Sequence, residues 1–139
     1  MEIALRFSQF YTGLGLDSLA GLAEVYDDAV TFIDPVTSHR GLAALSSYFS
    51  RLLAATTACE FTINQMRFGD TDGWVTWTMN FRHPRLNRGE WIAVEGVSVM
   101  ELRSNRIVFQ RDYYDMGEMV YERVPLLGRL VRKLRERLA

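Results

Sequence analysis

The stretch Trp74-Val75-Thr76-Trp77-Thr78-Met79-Asn80-Phe81-Arg82 alternates apolar and polar side chains from Val75 onward. Successive side chains of a strand point to opposite faces, so Trp77, Met79 and Phe81 share one face and Thr76, Thr78, Asn80 and Arg82 the other. The apolar face suits a core or a dimer contact. Gly69-Asp70-Thr71-Asp72-Gly73 precedes the run as a strong turn signal, and before it Phe61, Ile63, Met66 and Phe68 suggest a partner strand beginning at Cys59. Downstream, His83-Pro84 to Gly89 reads as a loop. Trp91 to Leu102 and Arg106 to Tyr114 read as two further strands, closed by a tight hairpin at Ser104-Asn105.

Upstream the period changes to that of a helix. Ile3, Phe7, Phe10, Tyr11 and Leu14 lie on one helical stripe that Gly13 and Gly15 end. Asp17 suits the N-cap of a second short helix carrying Leu19, Leu22, Val25 and Tyr26 inward. Val30-Thr31-Phe32-Ile33 reads as a short strand, stopped by Asp34-Pro35 because proline lacks a ladder donor and keeps its predecessor extended. After Gly41, Leu42, Leu45, Phe49, Leu52 and Leu53 form the cleanest amphipathic stripe of the chain. The order is α, α, short β, α, four β, α, with no internal repeat and no linker. Helices followed by an antiparallel meander indicate an α+β domain with the helices on one face of the sheet. A long sheet of this kind curls, and helices laid on its concave face can leave a pocket open at one end.

Composition agrees with a single domain spanning 1–139. The chain has 139 residues, 48% of them hydrophobic and 12% aromatic, with three prolines and one cysteine. A domain of this length buries roughly 68% of its unfolded surface and needs no staple. Cys59 alone forms no intrachain bridge, which suits a reducing cytoplasmic compartment, and a small buried hydrophobe is its expected role. No stretch reaches the roughly 18 to 20 apolar residues of a membrane span, and Glu2 and Arg6 break the pattern of a signal peptide. The net charge of −1 is uneven: Glu118 to Ala139 carries six basic and three acidic residues, hence +3, and leaves −4 for the rest. Nothing in that acidic body suggests nucleic acid.

Phosphate loops and nucleophile elbows are absent from the sequence. His39 and His83 stand far apart beside one cysteine, so no metal and no cofactor is expected. The informative residues are carboxylates set among apolar neighbours. Asp112 lies in Ile107-Val108-Phe109-Gln110-Arg111-Asp112-Tyr113-Tyr114, where alternation puts Val108, Gln110, Asp112 and Tyr114 on one face. If that face lines a cavity, desolvation raises the Asp112 pKa and suits it to acid or base work near neutral pH; on the outer face it would pair with Arg111, Arg82 or Tyr113. Asp34 is either a second cavity carboxylate or an Asp-Pro turn former. Tyr11, Trp77, Asn80, Ser98 and Tyr114 are the candidate pocket residues.

The run from Val25 to Pro35, then His39-Arg40-Gly41 and a helix passing Tyr48-Phe49, resembles the nuclear transport factor 2-like (SnoaL-like) superfamily. The run from Asn105 to Asp115 is similar to the final strand of its SnoaL-like polyketide cyclase and limonene-epoxide hydrolase branches. The resemblance implies a cystatin-like α+β cone: a curved antiparallel sheet wrapped around helices, an internal apolar pocket and a homodimer. It also implies roles. Asp34 stands where ketosteroid isomerases keep their general base, and Tyr11 near their oxyanion tyrosine, but their second oxyanion acid falls on Ser98. Asp112 matches the acid/base aspartate of the cyclase and hydrolase branches. The arginine and aspartate that hydrolases add fall on Thr78, Asn80 and neighbours, so the single-aspartate cyclase pattern survives best.

Two functions fit these residues. One is an isomerase, cyclase or hydrolase-type enzyme in which Asp112, assisted by Asp34, moves a proton on a small apolar carbonyl compound. The other is a non-catalytic pocket for a hydrophobic ligand or a protein partner. In the tail, Leu127, Leu130, Leu134 and Leu138 form a stripe against basic residues. Such a helix either lies on an anionic membrane surface or packs on the body with its arginines in water. Packing is the expectation, because three acidic residues dilute the charge.

Overall fold

In a computed structural model, which describes residues 2–139, the alternating run is one strand of a six-stranded sheet. The chain forms α1 (Ile3–Thr12), a 3-10 segment (Leu16–Gly21), α2 (Leu22–Val25), β1 (Tyr26–Ile33), β2 (Ser38–Arg40) and α3 (Leu42–Ala55). The strands β3 (Ala58–Phe68), β4 (Asp72–Arg82), β5 (Ile92–Arg103) and β6 (Arg106–Tyr114) follow, and then α4 (Met116–Met119), a 3-10 turn (Tyr121–Arg123) and α5 (Leu127–Leu138). Strand order is β2-β1-β6-β5-β4-β3. From β3 to β6 the sheet is the expected antiparallel meander, but β1 pairs with β6 in parallel, so the sheet is mixed. The whole meander separates β1 from β6 in sequence, which frees that pair from the antiparallel geometry a hairpin imposes.

Alternation in β4 decides the core. Val75, Trp77, Met79 and Phe81 are buried, as are Val94, Met100 and Leu102 beside them on β5. Helix α1 lays Ile3, Phe7, Phe10 and Tyr11 against this face, and α3 adds Leu45 and Phe49. The hairpin at Ser104-Asn105 has both residues at positive φ, 51° and 62°, the conformation whose twist matches that of its strands.

Bulges in β3 and β6 re-phase the sheet. In β3 the register slips between Ile63 and Gln65, leaving Asn64 extra, so that Phe61, Ile63, Met66 and Phe68 all pack toward the core despite their uneven spacing. In β6, Glu101 pairs with Phe109 but Leu102 with Ile107, leaving Val108 extra. Ile107, expected on the outer face with Phe109, is therefore completely buried on the inner face with Gln110. Bulges also bend their strands, which adds to the curvature of the sheet.

Other expectations change for local reasons. Asp17 caps no helix; Ser18 Oγ instead accepts from the Gly15 amide and donates to the Gly15 carbonyl, closing a 3-10 turn. Tyr26 opens β1 rather than ending a helix, and the three-residue edge strand β2 is too short to leave an alternation signal. The leucine stripe of the tail does not pack on the body: Leu130, Leu134 and Leu138 are 54%, 53% and 89% exposed. Among the described residues no helix is long and apolar enough to cross a membrane.

Candidate functional site

The inner face of β6 carries Gln110, Asp112 and Tyr114 past the Val108 bulge, and the facing positions of β5 supply Met100, Ser98 and Gly96. Trp77 of β4 pairs with Gly96, where the missing side chain leaves room for the indole; a Cβ on Gly96 would stand 2.3 Å from the ring. The Trp77 ring can thus reach across β5, and its Nε1 donates to Ser98 Oγ at 2.9 Å. Ser98 in turn donates to Asp112 Oδ1 at 2.5 Å. A second relay arrives at the same oxygen. Tyr11 from α1 bonds the Tyr26 hydroxyl, Tyr26 donates to Gln110 Oε1 at 2.6 Å, and Gln110 Nε2 donates to Asp112 Oδ1 at 2.8 Å. Both relays converge on Oδ1, so Oδ2 is the oxygen left to meet a ligand.

Asp112 is half-buried, beside a void walled by Phe7, Tyr11, Phe61 and Trp77. Burial raises its carboxyl pKa to about 7; the bonds from Ser98 and Gln110 pull it back in part, and the nearby Asp34 charge adds to the rise. A carboxyl balanced near neutrality can take up or give a proton with little penalty. Burial, and then the Asp112 charge, push the Tyr11 hydroxyl up, while Tyr26 rises through burial and its coupling to Tyr11. Both phenols therefore keep their protons and remain donors.

Asp34 closes the turn that its Asp-Pro sequence suggests. Its Oδ1 accepts the amides of Val36 and Thr37 at 2.8 and 3.0 Å, which makes it the turn former that ends β1. Its Oδ2 accepts the hydroxyl of Tyr48 on α3 inside the cone. Burial and then the Asp34 bond push Tyr48 up, and His39 stacks on the Tyr48 ring at 4.1 Å. Tyr114 is raised by burial and then by the charges of Asp34 and Asp112.

Of the candidate residues, Asp112, Asp34, Tyr11, Trp77, Ser98 and Tyr114 converge on the concave side. Asn80 does not. The alternation that buries Met79 and Phe81 turns Asn80 to the outer face, between Glu60 of β3 and Ala93 of β5. Arg111 and Tyr113 also lie outside, the guanidinium 5.0 Å from the ring centre, so the ion pair that would have claimed Asp112 is not formed. Sequence reasoning missed Gln110, Tyr26 and Tyr48 as members of the site. Gln110 could have been found: it is a polar residue two positions before Asp112 on the same face. Cys59 is half-buried, and burial pushes its thiol up to about 11, a poor nucleophile. Among the described residues no group of three or more His, Cys, Asp or Glu is placed to hold a metal.

Two voids lie along the inner face. The one touching Asp112 is only about 10 Å³, walled by Phe7, Tyr11, Phe61, Ile63, Trp77 and Ser98. The other, about 240 Å³ and apolar, lies at the mouth of the cone among Leu52, Cys59, Met79, Phe81, Leu86 and Met119. Ile63 pairs with Trp77, Phe61 with Met79 and Cys59 with Phe81, so the voids follow one another along the same two strands with the Phe61–Met79 layer between them.

The sequence matches the family model of the SnoaL-like domain over residues 7–110, ending two residues before Asp112. No curated protein sequence matches it significantly. Among solved structures, a hypothetical protein of Catenulispora acidiphila with a ketosteroid isomerase-like fold, in complex with trimethylamine, superposes with a TM-score of 0.74 at 18% identity, covering 89% of this chain and 94% of that one. A Jannaschia sp. protein assigned as a SnoaL-like polyketide cyclase gives 0.71 at 11% identity, covering 82% and 85%. An M. tuberculosis epoxide hydrolase similar to limonene-epoxide hydrolases gives 0.69 at 16% identity, covering 84% and 85%. At such identities these likenesses show the nuclear transport factor 2-like fold, and the family match, over most of the chain, shows that the protein belongs to the SnoaL-like domain family.

Proposed function

We propose that the protein is a small acid/base enzyme in which Asp112 moves a proton on a compact, mostly apolar carbonyl compound. One observation carries this reading: a carboxyl with pKa raised to about 7 sits within an aromatic interior, one oxygen held by Ser98 and Gln110. The apolar body of the substrate occupies the void at the mouth, and its reactive carbon reaches Asp112 when the Phe61–Met79 layer yields. Ionised Asp112 takes the proton, and the hydroxyl of Tyr114, kept protonated by burial, donates to the carbonyl oxygen. Asp34 holds Tyr48 and adds the charge that helps keep Asp112 basic. The test is deuterium exchange at the α-carbons of small cyclic enones such as 2-cyclohexenone, followed by NMR. Wild type should exceed Asp112→Asn by roughly 10²-fold or more, the usual worth of a positioned base. Equal, background exchange by both would overturn the reading.

A second reading draws on the cavity sizes. The void touching Asp112 is near 10 Å³, whereas the 240 Å³ void has no carboxylate in its wall. A hydrophobic ligand held in the larger void would then leave Asp112 a purely structural residue, and Asp112→Asn would bind 1-anilinonaphthalene-8-sulfonate as wild type does. Exposed Trp74, Val99 and Tyr113 on the outer sheet face give a homodimer a surface, and the lone thiol Cys59 fits a cytoplasmic setting.

A further inference from the structure

Helix α5 is held to the body along one narrow side. Gly128 lets it approach the preceding turn so closely that a Cβ there would stand 2.5 Å from the Glu122 carbonyl oxygen. Arg132 Nη1 donates to that carbonyl at 2.8 Å, and Arg135 binds the Glu122 carboxylate with both terminal nitrogens at 2.9 Å. Arg135 also pairs with Asp115 at 3.3 Å. Positions 128, 132 and 135 fall on one helix face, so this side is taken. At roughly 100° per residue, Leu127, Leu130, Leu134 and Leu138, with Val131, centre about a quarter turn away. The four leucines are 41%, 54%, 53% and 89% exposed, and Leu126 before them is 75% exposed.

The cations are distributed to match. Arg137 and Lys133 border the leucine stripe on its far side and Arg135, held by Glu122 and Asp115, on its near side, while Arg132 and Arg129 point away from it. From Leu127 to Ala139 the charge is five basic residues against Glu136 alone, or +4. An apolar strip edged by cations on both sides, on a helix too polar to insert across a bilayer, has the form of an element that lies in a headgroup layer. A second copy of the same helix would set Lys133 and Arg137 against their like, whereas an anionic lipid surface supplies the missing negative charge.

We propose that α5 docks the protein on anionic membrane surfaces, its leucines among the upper acyl chains and Lys133 and Arg137 at the phosphates. The mouth of the cone would then be held near the bilayer, since Met119 of α4, three residues before Glu122, is part of its wall. Apolar compounds dissolved in lipid would meet the protein there. The docking itself does not depend on Asp112 chemistry.

Co-sedimentation of the intact protein with vesicles of phosphatidylcholine alone, and of phosphatidylcholine with 30 mol% phosphatidylglycerol, tests this. The protein should pellet with the second and not the first, and 0.5 M NaCl should release it. Lys133→Gln with Arg137→Gln should weaken partition roughly 30-fold, as expected for two charges at a lipid surface. Leu130→Glu with Leu134→Glu should abolish it; both sites are exposed, and an unchanged circular dichroism melt shows that the fold persists. No pelleting with anionic vesicles, or pelleting that the leucine variant retains, overturns the proposal. So does light scattering that finds a dimer lost in the leucine variant while vesicles capture neither protein, for then the occupant is a second copy.

Discussion

Asp112 is the residue whose environment has the clearest consequence in solution. Its carboxyl is neutral in the folded protein up to about pH 7 but ionises near 3.8 in the unfolded chain. Folding thus retains a proton that the unfolded state gives up, and stability falls as pH rises from about 4 to about 7. The loss is on the order of 4 kcal/mol, and urea titrations at pH 4 to 8 should find that part of the slope missing in Asp112→Asn. Ser98→Ala removes one of the two donors to Oδ1 and leaves Trp77 Nε1 without its acceptor. It should raise the Asp112 pKa further, measured by carboxyl ¹³C NMR, and cost about 1–3 kcal/mol in stability. This scale is also where the sequence was least explicit. Asp112 and Ser98 stood out as polar residues in apolar strands, whereas Tyr48 and Tyr26 read as ordinary apolar positions because only tertiary packing turns their hydroxyls toward Asp34 and Gln110.

Among the elements, β4 and β5 are coupled by a ring against a glycine. Gly96→Ala would drive the Trp77 indole from its seat, since the new Cβ falls 2.3 Å from the ring. Overpacking of this kind costs about 1–3 kcal/mol. Thermal melts should show the loss, and a shifted Trp77 emission maximum should report the broken bond to Ser98. At the tail, Gly128→Ala sets its Cβ against the Glu122 backbone, which cannot yield as a flexible side chain would. Hydrogen exchange should then rise across residues 127–138 while the sheet stays protected. The strands and the long helix were legible because they bury one face, and burial writes its period into the sequence: β4 and α3 are the plainest cases. Edge strand β2 and the 3-10 segment at Leu16–Gly21 lack that imprint, while α5 carries a leucine stripe that it does not bury, and there pattern alone misled.

For the molecule as a whole, Arg6 ties together parts far apart in sequence. From α1 it donates to the Glu24 carbonyl at 2.6 Å and to the Asn105 carbonyl in the β5–β6 hairpin at 2.5 Å. Arg6→Met keeps the aliphatic stem and loses both bonds; chemical denaturation should show a loss on the order of 1–3 kcal/mol. The general architecture, helices inside a curled sheet, followed from the order of periodicities. The parallel seating of β1 beside β6 did not, because local pattern carries no record of which distant strand is the neighbour. The extra residue at Val108 has a different kind of consequence. It is slack in the frame of β6: excise it, and Leu102–Ile107, Glu101–Phe109 and Met100–Gln110 keep their partners, with Asp112 still facing inward and only the bend lost. A deletion at Arg111 has no such slack beside it and turns the acid out to solvent. Length variation in this strand is therefore tolerated at one place and ruinous three residues on.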